Sequence, residues 1–162
     1  MKNKKLEISY QHYADNSQLS AADRHLLDKA MEAAKGAYAP YSHFRVGCAV
    51  LMENGEIVLG NNQENRALPS GLCAERTALF HIGAQGQAKQ IRKIAIRAYS
   101  EKEDVSVNEP ILPCGACRQV MLEYEQQAVR PIILFAQGKS GTILRLEGIQ
   151  KTLMPFSFDM DF

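Results

Sequence analysis

Apolar positions along this chain change period several times, and each change marks an element. Leu26, Leu27, Ala30, Met31, Ala34 and Ala37 recur on one helical face behind Ser20-Ala21-Ala22-Asp23, a capping-box-like start. The spacing predicts a helix of about 16–18 residues that Pro40 stops. Phe44 to Leu51 then reads as a strand, and Ile57 to Asn61 as its return. Between them, Glu53-Asn54-Gly55-Glu56 is a hairpin turn, because Asn-Gly accepts positive φ at little cost. A second helix starts near Cys73 and carries Ala74, Ala78, Leu79 and Ile82 until Gly83 and Gly86. Ile91 to Tyr99 is rich in β-branched residues and predicts a third strand.

Ser100 to Glu109 is charged and unpatterned and reads as an exposed loop. Pro113 precedes a third helix, from about Cys114 to Gln127, with Val120, Met121 and Tyr124 facing inward. Pro131 to Ala136 and Thr142 to Leu146 complete a set of five strands, and Ile149 to Phe156 is a short closing helix or turn. Strands alternating with helices predict one α/β domain, a sheet covered by helices, over residues 20–162. Residues 1–19 are polar without clear period and read as an arm, mobile or paired with a neighbour.

The bulk numbers narrow the function. A chain of 162 residues suits a single domain. No run approaches the roughly 20 apolar residues of a membrane span, and Leu6 to Tyr10 is no signal-peptide core. The cysteine spacing is not that of a disulfide framework, so a cytoplasmic protein without membrane contact is expected. With 19 basic and 18 acidic residues the formal net charge is +1, which lacks the basic excess of a nucleic-acid binder. A small, uncharged substrate is expected instead.

Three of the four cysteines lie in two short motifs, Cys73-Ala74-Glu75 and Pro113-Cys114-Gly115-Ala116-Cys117. Both fall at helix starts, where the helix dipole favours the thiolate that a metal needs. Cys73, Cys114 and Cys117 would supply three ligands to one zinc and leave its fourth position to water, the pattern of a catalytic site. Zinc lowers the pKa of such a water from about 16 toward 7. Glu75 is then placed to accept the proton and return it as general acid. Arg76 and Arg118 follow ligands closely and could donate to the sulfurs, offsetting the charge of three thiolates on a dication. The competing readings are a closed structural zinc and metal-free thiols. No histidine is spaced to complete a tetrahedron with Cys73, which disfavours the closed site. Cys48, in a predicted strand, reads as a small core residue.

These motifs resemble the cytidine deaminase family, specifically the short type that acts on free nucleosides. The resemblance runs from about Ala37 to Phe156. It is carried by Ala39-Pro40-Tyr41-Ser42-His43-Phe44-Arg45-Val46-Gly47, Gly60-Asn61-Asn62-Gln63-Glu64-Asn65, both cysteine motifs and Leu153-Met154-Pro155-Phe156. It implies a three-layer α/β/α fold around a mixed five-stranded sheet, one Zn2+ per subunit and a homotetramer with active sites near subunit interfaces. It further implies that Phe44 packs on a pyrimidine ring, that Asn62 and Glu64 bind ribose hydroxyls, and that the Ala74 N–H meets the pyrimidine carbonyl. The implied activity is hydrolysis of cytidine and deoxycytidine to uridine and deoxyuridine plus ammonia, in pyrimidine salvage. Without the family, Phe44 reads equally as a core aromatic, and Asn62 and Glu64 as a polar strand end.

The chain departs from the family where a tyrosine often follows the Glu-Asn pair, since Asn65-Arg66-Ala67-Leu68-Pro69 has none. Residues 100–112 form a longer stretch than in compact members, and the arm is extra. Two other readings share the cysteine motifs: a blasticidin-type or other aminoheterocycle deaminase, and a catalytically silent zinc-stabilised binding module. Asn62 and Glu64 favour a nucleoside over the first, and an intact Glu75 disfavours the second.

Overall fold

A computed structural model describes residues 1–158; the last four residues of the expected domain lie outside the described residues. Helix α1 (Ala21–Lys35) begins where its cap predicts, with the Ser20 hydroxyl oxygen accepting the Asp23 N–H at 3.1 Å. It buries Leu26, Leu27, Ala30, Ala33 and Ala34. Strands β2 (Phe44–Met52) and β3 (Ile57–Asn61) form the expected hairpin, with Gly55 at φ 87° in its turn. Helix α2 (Ala74–Ala84), strand β4 (Ile91–Ser100) and helix α3 (Gly115–Gln127) follow. Strands β5 (Ile133–Gln137) and β6 (Ile143–Glu147) and the one-turn helix α4 (Ile149–Thr152) close the chain.

With β1 (Gln11–Tyr13), the sheet has six strands rather than five, in the order β1-β6-β5-β4-β2-β3. The extra strand, β1, is part of the polar arm and pairs antiparallel with β6 of its own chain. Sequence periodicity misses it because three residues are too short to show an alternation, and two of the three stay exposed. Only β4 and β5 run parallel. A parallel pair needs a long crossover, and here it consists of the 101–114 segment and α3. The mixed sheet therefore follows from the same segment that carries Cys114 and Cys117.

Helix α1 covers one face, over Ala49, Ala95, Phe135 and Ile143. Helices α2, α3 and α4 cover the other, over Cys48, Ile94, Ile96 and Leu134. The three layers are thus those expected, and Cys48 is a fully buried core residue. Gly60 sets how closely α2 lies on β3. A Cβ there would stand 2.5 Å from the Ala74 carbonyl oxygen, so a larger residue would push the start of α2 off the sheet.

The end of α3 is tied to α4 by one carboxylate. Glu125 Oε1 accepts the N–H groups of Ile132 (2.9 Å) and Ile149 (2.7 Å), and its Oε2 accepts that of Gln150 (3.0 Å). Hydrogen bonds to a charged group contribute more than neutral ones, and orphaned donors cost their desolvation. Glu125→Ala is expected to lower unfolding free energy by about 3 kcal/mol, read from the urea midpoint at constant m.

Candidate active site

Two helix starts meet over the sheet. Cys73 is the N-cap of α2 and Cys114 the N-cap of α3, both with extended backbone angles and neither spending its side chain on a cap hydrogen bond. Cys117 lies one turn further along α3 and is fully buried. The Cys73 and Cys114 sulfurs are 3.9 Å apart, and those of Cys114 and Cys117 3.5 Å. All three lie within 4.8 Å of one another. Tetrahedral zinc with Zn–S bonds of about 2.3 Å separates its sulfurs by roughly 3.8 Å, so this set fits the ion.

The charges fit as well. With protons alone, the three sulfurs share charge unevenly. Cys117 donates its S–H to Cys73, and that bond, with help from Arg76 and Cys114, outweighs desolvation and lowers the Cys73 pKa to about 5. Cys117 is pushed far up by the same bond and by burial. Three adjacent thiolates need a cation. Arg76 supplies part of one: its Nη2 is 3.7 Å from the Cys73 sulfur, and its Nε is buried without a partner among the described residues. Arg118 acts differently from expectation. The bond described for it runs from Nε to the Pro113 carbonyl at 2.8 Å, holding the backbone that delivers Cys114 rather than a sulfur.

Glu75 sits in the first turn of α2 and is 4 % exposed. Burial raises its pKa, its own backbone N–H opposes the rise, and the charge on Cys73 adds to it. A carboxyl so placed takes up a proton more readily than a surface one does.

A cavity of about 680 Å3 opens beside these groups, with Cys73, Cys114, Glu75 and Arg76 in its wall. Phe44, Asn62 and Glu64 also line it, and Asn62 and Glu64 lie just past the end of β3. Extended pairing persists there: Gln63 exchanges backbone hydrogen bonds with Leu72 at 2.9 and 3.0 Å, so its two neighbours still share one side. Asn62 also pins the strand opposite. Its Oδ1 accepts the Val46 N–H at 2.8 Å, and its Nδ2 donates to the Phe44 carbonyl at 2.9 Å. Ala74 is the first residue of α2, where a helix leaves its N–H groups without intrahelical partners.

Glu64 Oε2 accepts the Tyr41 and Ser42 N–H groups at 2.9 and 3.2 Å. Desolvation opposes its charge, but hydrogen bonds from the Ser42 side chain and these two N–H groups win, and its pKa falls below the ordinary carboxylate value. Tyr41 and Ser42 have no role expected from sequence, nor do Val46, Ile96, Ile111 and Leu112, which supply apolar wall. For Ile96 the signal is available: it alternates with Ile94 toward the α2–α3 face of β4. A second hollow of similar volume lies between the arm and α4, lined by Leu6, Tyr10, Arg145 and Lys151 among others. The cluster of metal-type ligands found among the described residues lies in the first cavity, not the second.

Residues 20–132 match the family described as the cytidine and deoxycytidylate deaminase zinc-binding region. The chain belongs to that family. Membership makes it a zinc-dependent deaminase, a hydrolase of C–N bonds, and gives the three-cysteine cluster its ion. A cytidine deaminase of Halalkalibacterium halodurans is 45% identical over 102 residues, covering 62% of this chain and 71% of that protein. One from Mycobacterium tuberculosis is 35% identical over 99 residues, covering 61% and 68%. Among solved structures, a cytidine deaminase from Burkholderia pseudomallei superposes with a TM-score of 0.71 at 34% identity, covering 83% of this chain and 98% of that one. The matched residues include the α2–α3 junction described above.

Proposed function

We propose that this deaminase hydrolyses cytidine and deoxycytidine to uridine and deoxyuridine with release of ammonia. The observation that carries the reading is the cavity itself: apolar along Phe44, Val46 and Ile96, polar at Asn62 and Glu64, and ending on Glu75 and the cysteines. That gradient suits a flat heterocycle joined to a sugar. The charge at the polar end selects further. Glu64 is held ionised by backbone N–H groups, and the cation in the wall, Arg76, is engaged with Cys73. A phosphorylated sugar would meet repulsion there, so a nucleoside is favoured over a nucleotide.

The thiolates of Cys73, Cys114 and Cys117 would hold the zinc, which would supply the activation of water. The residues of the chain do the rest. Glu75 takes one proton of the attacking water on its carboxylate and passes it to the ring nitrogen of the base. It then takes the proton of the newly added hydroxyl and gives it to the amine as the C–N bond breaks, so that ammonia leaves and the carbonyl forms. Burial keeps solvent from trading that proton away. Phe44 packs on the base, with Asn62 fixing the backbone at Phe44. The Ala74 N–H binds the base carbonyl, and Glu64 receives the sugar hydroxyl. Arg76 lowers the negative charge of the cluster that the substrate approaches.

Assembly and setting belong to the same proposal: a homotetramer in the cytoplasm, serving pyrimidine salvage. Exposed Tyr41, Leu68 and Ile111 at the cavity rim support association with further copies. The single-domain reading of residues 20–162 is kept with it. The test is ultraviolet monitoring of cytidine, deoxycytidine, cytidine monophosphate and a panel of aminoheterocycles with zinc-loaded protein. Turnover of the two nucleosides above the phosphate is the expected result. Ammonia from no nucleoside would overturn the reading.

A further inference from the structure

We propose that residues 107–112 form a fixed wall of the nucleoside pocket, positioned from the β5–β6 turn by Gly138 and Ser140. The inference rests on the nucleoside reading above and concerns affinity rather than chemistry. Sequence pattern predicts an exposed loop here, yet Val107 is buried. The Lys139 N–H donates to the Val107 carbonyl at 2.8 Å. Ser140 donates twice to the Asn108 carbonyl, from its N–H at 3.2 Å and from its hydroxyl at 2.7 Å. The backbones are in close contact: a Cβ on Gly138 would lie 1.9 Å from the Asn108 oxygen and 2.7 Å from the Glu109 carbonyl carbon.

Beyond this seat the chain has little slack. Only Pro110, Ile111, Leu112 and Pro113 separate Glu109 from Cys114. Two of those four are prolines with φ fixed by their rings. The far end is held by the bond from Arg118 to the Pro113 carbonyl. Ile111 and Leu112, at the centre of the tether, line the pocket, and Leu112 also packs on the core. A displacement at Asn108 is therefore passed through a stiff, short segment to the pocket wall. Small displacements matter, since a shift of about 1 Å far from the chemistry can cost up to about a hundredfold.

Three variants test this: Gly138→Ala, Ser140→Ala and, as a control, Thr142→Val. Thr142 Oγ1 lies 3.0 Å from the Ser140 hydroxyl oxygen but has no bond described to the 107–109 backbone. For Gly138→Ala and Ser140→Ala, KM for cytidine is expected to rise about tenfold with kcat within about twofold, the pattern of lost uniform binding. The Kd for uridine should rise in parallel and amide exchange in 107–112 should accelerate, with zinc content unchanged. Thr142→Val should leave all four readings at wild-type values. Unchanged KM, Kd and exchange in either folded variant would overturn the proposal, as would a loss of zinc or of kcat in place of the KM effect. If Gly138→Ala does not fold, Ser140→Ala decides alone. Should the wild type turn over no nucleoside, the functional reading fails separately, and the exchange data still judge the seat.

Discussion

Glu75→Gln is expected to keep one zinc per chain and to lose about 10^2–10^4 of kcat, the usual scale for removing a general acid–base. The change is nearly isosteric, so the first turn of α2 and the N-cap at Cys73 should stand. Glutamine cannot accept the proton of the attacking water or deliver one to the leaving amine. Glu75 is 4 % exposed, so bulk water cannot readily substitute for it. The metal cluster is built without it, from three sulfurs within 4.8 Å of one another. Measurement needs two readings on one preparation: metal content by atomic absorption, and single-turnover rate with cytidine. KM should hold or fall, because the lost interaction belongs to the transition state. Loss of zinc together with rate would mean that Glu75 holds the structure at α2, and the proton-carrier role would go.

What made this site legible was chemistry confined to short segments. Cysteine is a rare residue with few reasons to cluster, so Cys73, Cys114 and Cys117 announced a zinc site before any geometry was available. Asn62 and Glu64 reach the same cavity because alternation survives past the end of β3. The backbone contacts were not legible. Glu64 is oriented by the N–H groups of Tyr41 and Ser42, and no side-chain pattern reports where a main-chain donor points. Arg118 illustrates the same point: proximity in sequence to Cys117 points to a sulfur, whereas the bond described from its Nε goes to the Pro113 carbonyl. The strand β1 and the seated 107–109 segment share a different cause. Both are held by pairing with distant parts of the chain, Gln11 to Tyr13 with β6 and Val107 to Asn108 with the β5–β6 turn. Tertiary hydrogen bonds of this kind leave no period in the local sequence.

The second large effect is expected from Cys117→Ala: no bound zinc, no turnover, and a melting temperature about 10 °C lower. Cys117 is the innermost of the three sulfurs, fully buried beneath α3, whereas Cys114 is exposed. Removing it leaves two thiolates where zinc needs three protein ligands to hold an open catalytic position. Two causes of destabilisation must be separated. Deleting one buried sulfur leaves a small cavity, costing about 1 kcal/mol. Losing an ion that binds only the folded state forfeits about 4 kcal/mol when free zinc stands a thousandfold above Kd. A chelator distinguishes them. It should lower the wild-type melting temperature nearly to that of Cys117→Ala, and it should not move the variant. Glu125→Ala, which weakens the fold at the opposite end of α3, should still respond to the chelator in full. If Cys117→Ala keeps its zinc, or its own melting temperature also falls on chelation, then Cys117 is a core residue rather than a ligand. The ion would in that case rest on Cys73 and Cys114 alone.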